Sequence, residues 1–191
     1  MAARCAIIST ISTAGRTATT GRPAVAKRRI AAAATALLGA GLLATIAVPP
    51  APRLVWNASA STPVGLYLVR PGARVEVGDW ALVRTPEAVR RLAAERHYLP
   101  ANVPLVKRVA ATGGQRVCTV SALLTVDTRV VAVRRMRDAL GRLLPRWQGC
   151  RRLRPDEMLV LGIDPGSFDG RYFGPVPRGA LLGQAVPLWT W

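Results

Sequence analysis

Polar and apolar positions divide the chain into two regimes. The first 26 residues are rich in Ala, Thr, Ser and Arg and carry no acid. Residues 30 to 48, IAAAATALLGAGLLATIAV, then hold no charge at all and stop at Pro49 and Pro50. At about 1.5 Å of rise per residue, a helix of that length crosses a hydrocarbon layer of about 30 Å. Its alanines keep it only moderately hydrophobic, so a helix buried in a soluble core is the competing reading. The flanks favour the membrane: Lys27, Arg28 and Arg29 directly precede the run, and such cations stay on the cytoplasmic side. The leader is long for a cleaved signal peptide, and no convincing small-x-small cleavage site precedes Pro49. The expected organisation is a disordered cytoplasmic leader over 1–29, an uncleaved anchor over 30–50, and a domain over 53–191 on the periplasmic side of a bacterial inner membrane.

Beyond the prolines the pattern shortens. VGLYLV, DWALVRT, VPLVKRVAA, QRVCTV, ALLTVDTRVVAV and EMLVLGI are brief, aliphatic or β-branched, and separated by Gly or Pro, as strands are. One helix is expected in TPEAVRRLAAERHYL, with Thr85 as cap, Pro86 in the first turn and Glu87 facing the dipole. DALGR, at 138 to 142, carries turn residues. The fold class is therefore mainly β.

Half of the residues are hydrophobic, enough for a buried core, and the formal charge is +17. That charge raises a nucleic-acid partner. However, the arginines are scattered rather than gathered into tracts, and aromatics are only 5%, a poor stacking platform. Nucleic acid is not the expected partner, and a basic surface beside anionic lipid accounts for the charge equally well. His97 is the single histidine and sits in a polar helical stretch, so a Ser-His-Asp triad is disfavoured. Cys5, Cys118 and Cys150 lack the clustered spacing of a zinc site, and no cofactor is expected. If the domain is exported, Cys118 and Cys150 share a compartment that permits a disulfide.

Lys107 is the anomaly. The chain has 27 Lys and Arg, yet only Lys27 and Lys107 are lysines. Lys107 stands in VPLVKRVAA, where strand alternation aligns it with Leu105 and Val109 on an aliphatic face. A guanidinium cannot give up its proton in a protein; a desolvated amine can. Two readings are open here: a general base, or a stem that packs while its amine snorkels to water. Upstream, NASASTPVGLY presents Ser59 and Ser61 in a turn-forming context that also suits a linker. Downstream, GIDPGSFDGRYFGPVP carries Asp169 and Arg171, a local ion pair in an otherwise loop-like stretch.

Taken together, SASTPVGLY, PLVKRVAATGGQRVC and SFDGRYFGPVP occur in an order that resembles the membrane-bound type I signal peptidases of the Ser/Lys class, in particular the conjugative-transfer, TraF-type branch. The likeness covers roughly residues 30 to 190. It implies a signal-peptidase-like β-fold catalytic domain behind one N-terminal transmembrane helix. By the same resemblance Ser61 is the nucleophile, Lys107 the general base, Ser59 a hydroxyl assisting the oxyanion hole, and Asp169 a supporting acid beside Arg171. Ser59 as nucleophile stays open. The chain departs from the housekeeping enzymes in lacking a methionine after Ser61 and in carrying Gly170 where serine is common. The implied substrate is an exported precursor polypeptide, such as a conjugative pilin, docking as an added strand near VGLYLV. Water or an amine resolves the acyl-enzyme, giving hydrolysis or cyclisation, and other conjugation or secretion components are natural partners. The alternative is a non-catalytic membrane component of such an apparatus that retains the fold.

Overall fold

The computed structural model describes residues 22–47 and 51–191. The leader expected over 1–29 therefore falls mostly outside the described residues, as do Pro49 and Pro50. The chain divides into two compact units at residue 50. The first contains α1, Arg22–Ala47. It begins within the stretch expected to be unstructured, because Pro23 suits a first turn and the following Ala, Lys and Arg are strong helix formers. Leu37, Leu38, Leu42 and Leu43 are all exposed, so α1 is apolar around its circumference rather than along one stripe. Among the described residues no helix is long and apolar enough to cross a membrane. The apolar run itself continues to Val48, past the segment 25–45 whose side chains are described.

The second unit is built from β1 (Leu54–Asn57), β2 (Gly65–Arg70), β3 (Trp80–Val83), α2 (Glu87–Glu95), β4 (Leu105–Thr112), β5 (Arg116–Val120), β6 (Leu123–Val126) and β7 (Arg129–Val133), followed by β8 (Gly149–Arg152), β9 (Glu157–Leu161), the single helical turn α3 (Gly170–Phe173), β10 (Val176–Pro177) and β11 (Leu181–Thr190). One sheet has seven strands in the order β1-β2-β11-β3-β4-β9-β10, the other four in the order β7-β6-β5-β8. Every pairing is antiparallel.

All six stretches read as strands form strands, and ALLTVDTRVVAV folds back on itself as β6 and β7. The turn between them sets Asp127 at φ 52°, a left-handed conformation that aspartate tolerates. Four strands were not legible, among them the two-residue β10 in a stretch read as loop. β8, GCRR, is exposed along its whole length and exists through its pairing with β5. β1 has only 4 residues. β11, the longest strand, is disguised by Gly183 and Pro187, and its ladder slips between Pro187 and Trp189, where a missing N–H is tolerated. In α2 the expected cap is absent: the helix opens on Pro86 without a side-chain hydrogen bond, and the buried Thr85 Oγ1 has no hydrogen-bond partner among the described residues. Glu87 instead pairs with Arg90 at 2.7 Å.

The core forms where the strands' inward faces meet. Leu105 and Val109 of β4 pack with Ala81, Val83, Met158 and Val160, while Val106 turns the other way onto Tyr67, Val69 and Leu82. Ala111 packs in a third cluster with Val117, Leu124 and Leu159. β4 thus runs through all three apolar clusters, and a polar residue at its middle is held in dry surroundings.

Candidate active site

That polar residue is Lys107, which is only 3% exposed. Its Nζ makes a short hydrogen bond with Ser61 Oγ and reaches Ser167 Oγ at 2.9 Å. The snorkelling alternative is thereby excluded, since the amine ends among hydroxyls and not in water. Burial is the main force on its acidity, bringing the pKa from 10.5 down to about 8. The Arg171 guanidinium pushes in the same direction, while the carboxylates of Asp169 and Asp164 push back.

Ser61 lies in the loop between β1 and β2. That loop cannot satisfy its own carbonyls by strand pairing, so side chains do it. The Asn57 amide donates to the carbonyls of Ser59, Thr62 and Pro63 at 2.8, 3.0 and 3.1 Å. Tyr67 donates its hydroxyl to Pro63 O at 2.6 Å. Two long-range bonds dock the loop on the lysine's scaffold: Thr62 Oγ1 donates to Val106 O at 2.6 Å, and Ile163 N donates to Ser61 O at 2.9 Å. Gly65 closes the loop at φ 147°, where a Cβ would stand 2.0 Å from Trp189 O.

Ser59 is brought to the same place. Its hydroxyl donates to Ser61 Oγ at 2.9 Å and accepts from Ser61 N at 3.3 Å. Asp169 is not: it touches neither Ser61 nor Lys107. Completely buried, it accepts from Gly162 N at 2.6 Å and pairs with Arg171 Nε at 2.9 Å. Arg171 in turn donates to the carbonyls of Gly162, Asp164 and Pro165. The pair therefore shapes the segment 162–167, which delivers Ser167, and acts on the lysine through position and field. Asp169, expected as a supporting acid beside Arg171, thus lies in contact with Arg171 and Gly162 and not with the Ser61–Lys107 pair.

Two residues escaped the sequence reading. Ser167 sits two positions before Asp169, in a stretch read as a loop, and Asn57 looked like linker. The available signal was that both are small polar residues beside the singled-out ones; only the fold shows that they converge. β2, which carries the GLYLV of the stretch expected near the substrate, is paired on both sides by β1 and β11, so an added strand would have to lie elsewhere. Inside the sheet, the pairing of β4 with β9 begins only at Arg108, so among the described residues no strand pairs with Leu105–Lys107 on that side, where Val106 O accepts from Thr62. A cleft of about 500 Å³ runs there, lined by Ser59, Ser61, Lys107 and Ser167 together with apolar Leu99, Val106 and Phe168.

His97 is exposed and does not line the cleft. A hydroxyl hydrogen-bonded to a desolvated amine is an arrangement for nucleophilic attack with the amine as base. The family model for signal peptidases, peptidase S26, matches residues 26–191. The chain belongs to the signal peptidase family. Within that family it is similar to a plasmid transfer protein TraF of Escherichia coli, 34% identical over 170 residues, covering 83% of this chain and 91% of the relative. It is equally similar to a probable conjugal transfer protein TraF of Sinorhizobium fredii, 34% identical over 149 residues, with 71% and 76% covered. A conjugal transfer protein TraF of Agrobacterium tumefaciens is 34% identical over 145 residues, with 70% and 81% covered. A mainly β unit is thus the fold of a signal-peptidase-like hydrolase, and a precursor polypeptide is the class of substrate the family implies.

Proposed function

We propose that this chain is a membrane-anchored Ser/Lys endopeptidase that processes exported precursors of a conjugation apparatus, with a pilin as the prime candidate. The hydrogen bond between Lys107 Nζ and Ser61 Oγ inside an apolar strand carries the reading. Neutral Lys107 accepts the Ser61 proton as Oγ attacks the scissile carbonyl. The developing oxyanion is met by Ser61 N–H and the Ser59 hydroxyl, which bond each other and turn to the substrate on binding; one such donor is worth about 3–4 kcal/mol. Lys107 then passes its proton to the leaving amine while the acyl-enzyme forms. Ser167 holds Nζ in line through both transfers. Water attacking the acyl-enzyme releases a linear product; the substrate's own amine attacking it closes a ring. The precursor lies in the cleft beside Leu105–Lys107, where pairing with backbone groups that β9 leaves unpaired gives affinity without regard to sequence.

α1 and the apolar run to Val48 supply the anchor, with Lys27, Arg28 and Arg29 on the cytoplasmic side. Trp56, Trp189 and Trp191 form an exposed aromatic cluster with ring centroids 5.2–6.4 Å apart, the chemistry of a membrane–water interface. The Cys118–Cys150 disulfide joins directly opposed residues of β5 and β8 and suits a periplasmic domain. The test incubates membranes carrying wild type, Ser61→Ala or Lys107→Arg with candidate pilin precursors and weighs the intact products. Wild type yields a shortened product, lighter by a further water if cyclic, and both variants yield none. Full cleavage by Lys107→Arg sinks the mechanism.

A further inference from the structure

Arg134 plays no part in the machinery above, yet it is a buried charge, 6% exposed. Two of its nitrogens are committed: Nη1 donates to Trp147 O and Nη2 to Ser121 O, both at 2.7 Å. They fix the guanidinium plane. Its Nε is buried and has no hydrogen-bond partner among the described residues, and no carboxylate there forms an ion pair with it. Buried guanidinium groups cannot shed their proton and are ordinarily paired. Burial, and next the neighbouring Arg146, make this one's proton less tightly held than usual.

The same side chain lines a cavity of about 260 Å³ with Arg135, Arg146, Ser121, Gln148 and Tyr172. No acid lines it. Asp138 and Asp164 line the neighbouring cleft instead. Both are engaged there, Asp138 with Tyr98 and Arg142, and Asp164 with Gly166 N. Apolar Ala122, Met136 and Leu144 complete its wall, and a pocket that sets three guanidinium groups, two hydroxyls and an amide against that apolar floor, with one buried donor left over, has the chemistry of an anion site. Its place suggests whose anion. Arg135, Leu144 and Tyr172 line both this cavity and the cleft holding Ser61 and Lys107, so a chain lying in the cleft has this pocket in its wall.

We propose that this pocket is an anion subsite which takes a carboxylate of the precursor polypeptide, an acidic side chain or the chain terminus, with Arg134 Nε, Arg135 and Arg146 as its donors. The carrier of the carboxylate rests on the peptidase reading; the anion site does not.

Two measurements keep those apart. In the first, full-length protein labelled with ¹⁵N-arginine, in zwitterionic detergent, is titrated with four probes: acetyl-Ala-Glu-Ala-amide, acetyl-Ala-Gln-Ala-amide, acetyl-Ala-Gln-Ala free acid and inorganic phosphate. The Arg134 Nε–H resonance should shift saturably with the Glu peptide, the free acid or both, and not with the neutral peptide. Which of the two acts identifies the source of the carboxylate. Arg146→Gln should weaken that binding about tenfold, the size expected for one charge-assisted hydrogen bond. No saturable shift, an equal shift with the neutral peptide, or a response to phosphate alone overturns the proposal. In the second, a processed precursor is compared with its form neutralised at the carboxylate. Arg146→Gln should raise KM about tenfold on the acidic form at unchanged kcat, and do nothing on the neutral form. Equal effects on both forms overturn the assignment to substrate. If wild type cleaves no precursor, the peptidase reading fails while the first titration still decides the anion site.

Discussion

Replacing Lys107 with methionine should stabilise the folded protein at neutral pH while destroying its chemistry. The drop in the lysine's pKa from 10.5 to about 8, at about 1.4 kcal/mol per pH unit, is a cost of about 3 kcal/mol to the folded state when the amine is charged. The sign follows from the proton count. Between pH 8 and 10.5 the unfolded chain holds the proton and the folded one has lost it, so wild-type stability rises with pH across that window. Below pH 8 both states are protonated and the cost is borne in full; above 10.5 it is gone. Methionine fills nearly the same volume without the charge. Against this gain, Ser167 Oγ loses its bond to Nζ, about 1–2 kcal/mol for a buried hydroxyl, whereas Ser61 keeps Ser59. The variant should therefore be more stable by about 1–2 kcal/mol at pH 7, and the difference should move by about 3 kcal/mol in favour of wild type by pH 10.5. Other titrating groups are common to both proteins and cancel. Denaturant unfolding of the two full-length chains at half-unit pH steps, with the disulfide intact, measures this. A stability difference that stays flat from pH 7 to 10.5 would show that the amine is not desolvated, and the general-base argument would go with it.

Precursor cleavage by wild type should have a basic limb, kcat/KM rising about tenfold per pH unit below a midpoint of about 8 and levelling above it; a midpoint near 10.5 contradicts a neutralised lysine. Gly162→Ala should lower cleavage at least ~100-fold, because its Cβ would stand 2.3 Å from Ser167 Oγ and 2.8 Å from Ser61 O; a fully active variant means the 162–167 segment does not position the dyad. Removing the Cys118–Cys150 bridge, by Cys→Ala at both positions or by a reductant, should cost about 3 kcal/mol in unfolding, with cleavage kept at low temperature. Identical melting of oxidised and reduced wild type refutes that contribution.

Much of this molecule is written locally. Strands of β-branched and aliphatic residues between Gly and Pro, and one helix opened by Pro86 and Glu87, follow from short-range preferences of the backbone, and so they were legible without coordinates. Lys107 was legible for a different reason: composition made it conspicuous, since a chain that uses arginine nearly everywhere, with Lys27 the single other lysine, keeps inside an apolar strand a cation able to lose its proton. The apolar run over 30 to 48 and its basic flank are equally local signals. What no window of sequence could hold is convergence. Ser61, Lys107 and Ser167 come from three separate segments, and their meeting depends on the docking of the nucleophile loop through Thr62 and Ile163. Asn57 acquires its role only because a hairpin loop leaves carbonyls that need a donor. Asp169 and Arg171 were recognised as a pair, but only the folded loop reveals that they steer Ser167 rather than touch the lysine. β8 and β11 are strands through their partners, not through their own residues. Local pattern determines which pieces form, because backbone preference and side-chain periodicity act over a few residues; tertiary packing decides which groups lose their water together, and it is that shared desolvation which lowers the pKa of the Lys107 amine where it meets the Ser61 hydroxyl.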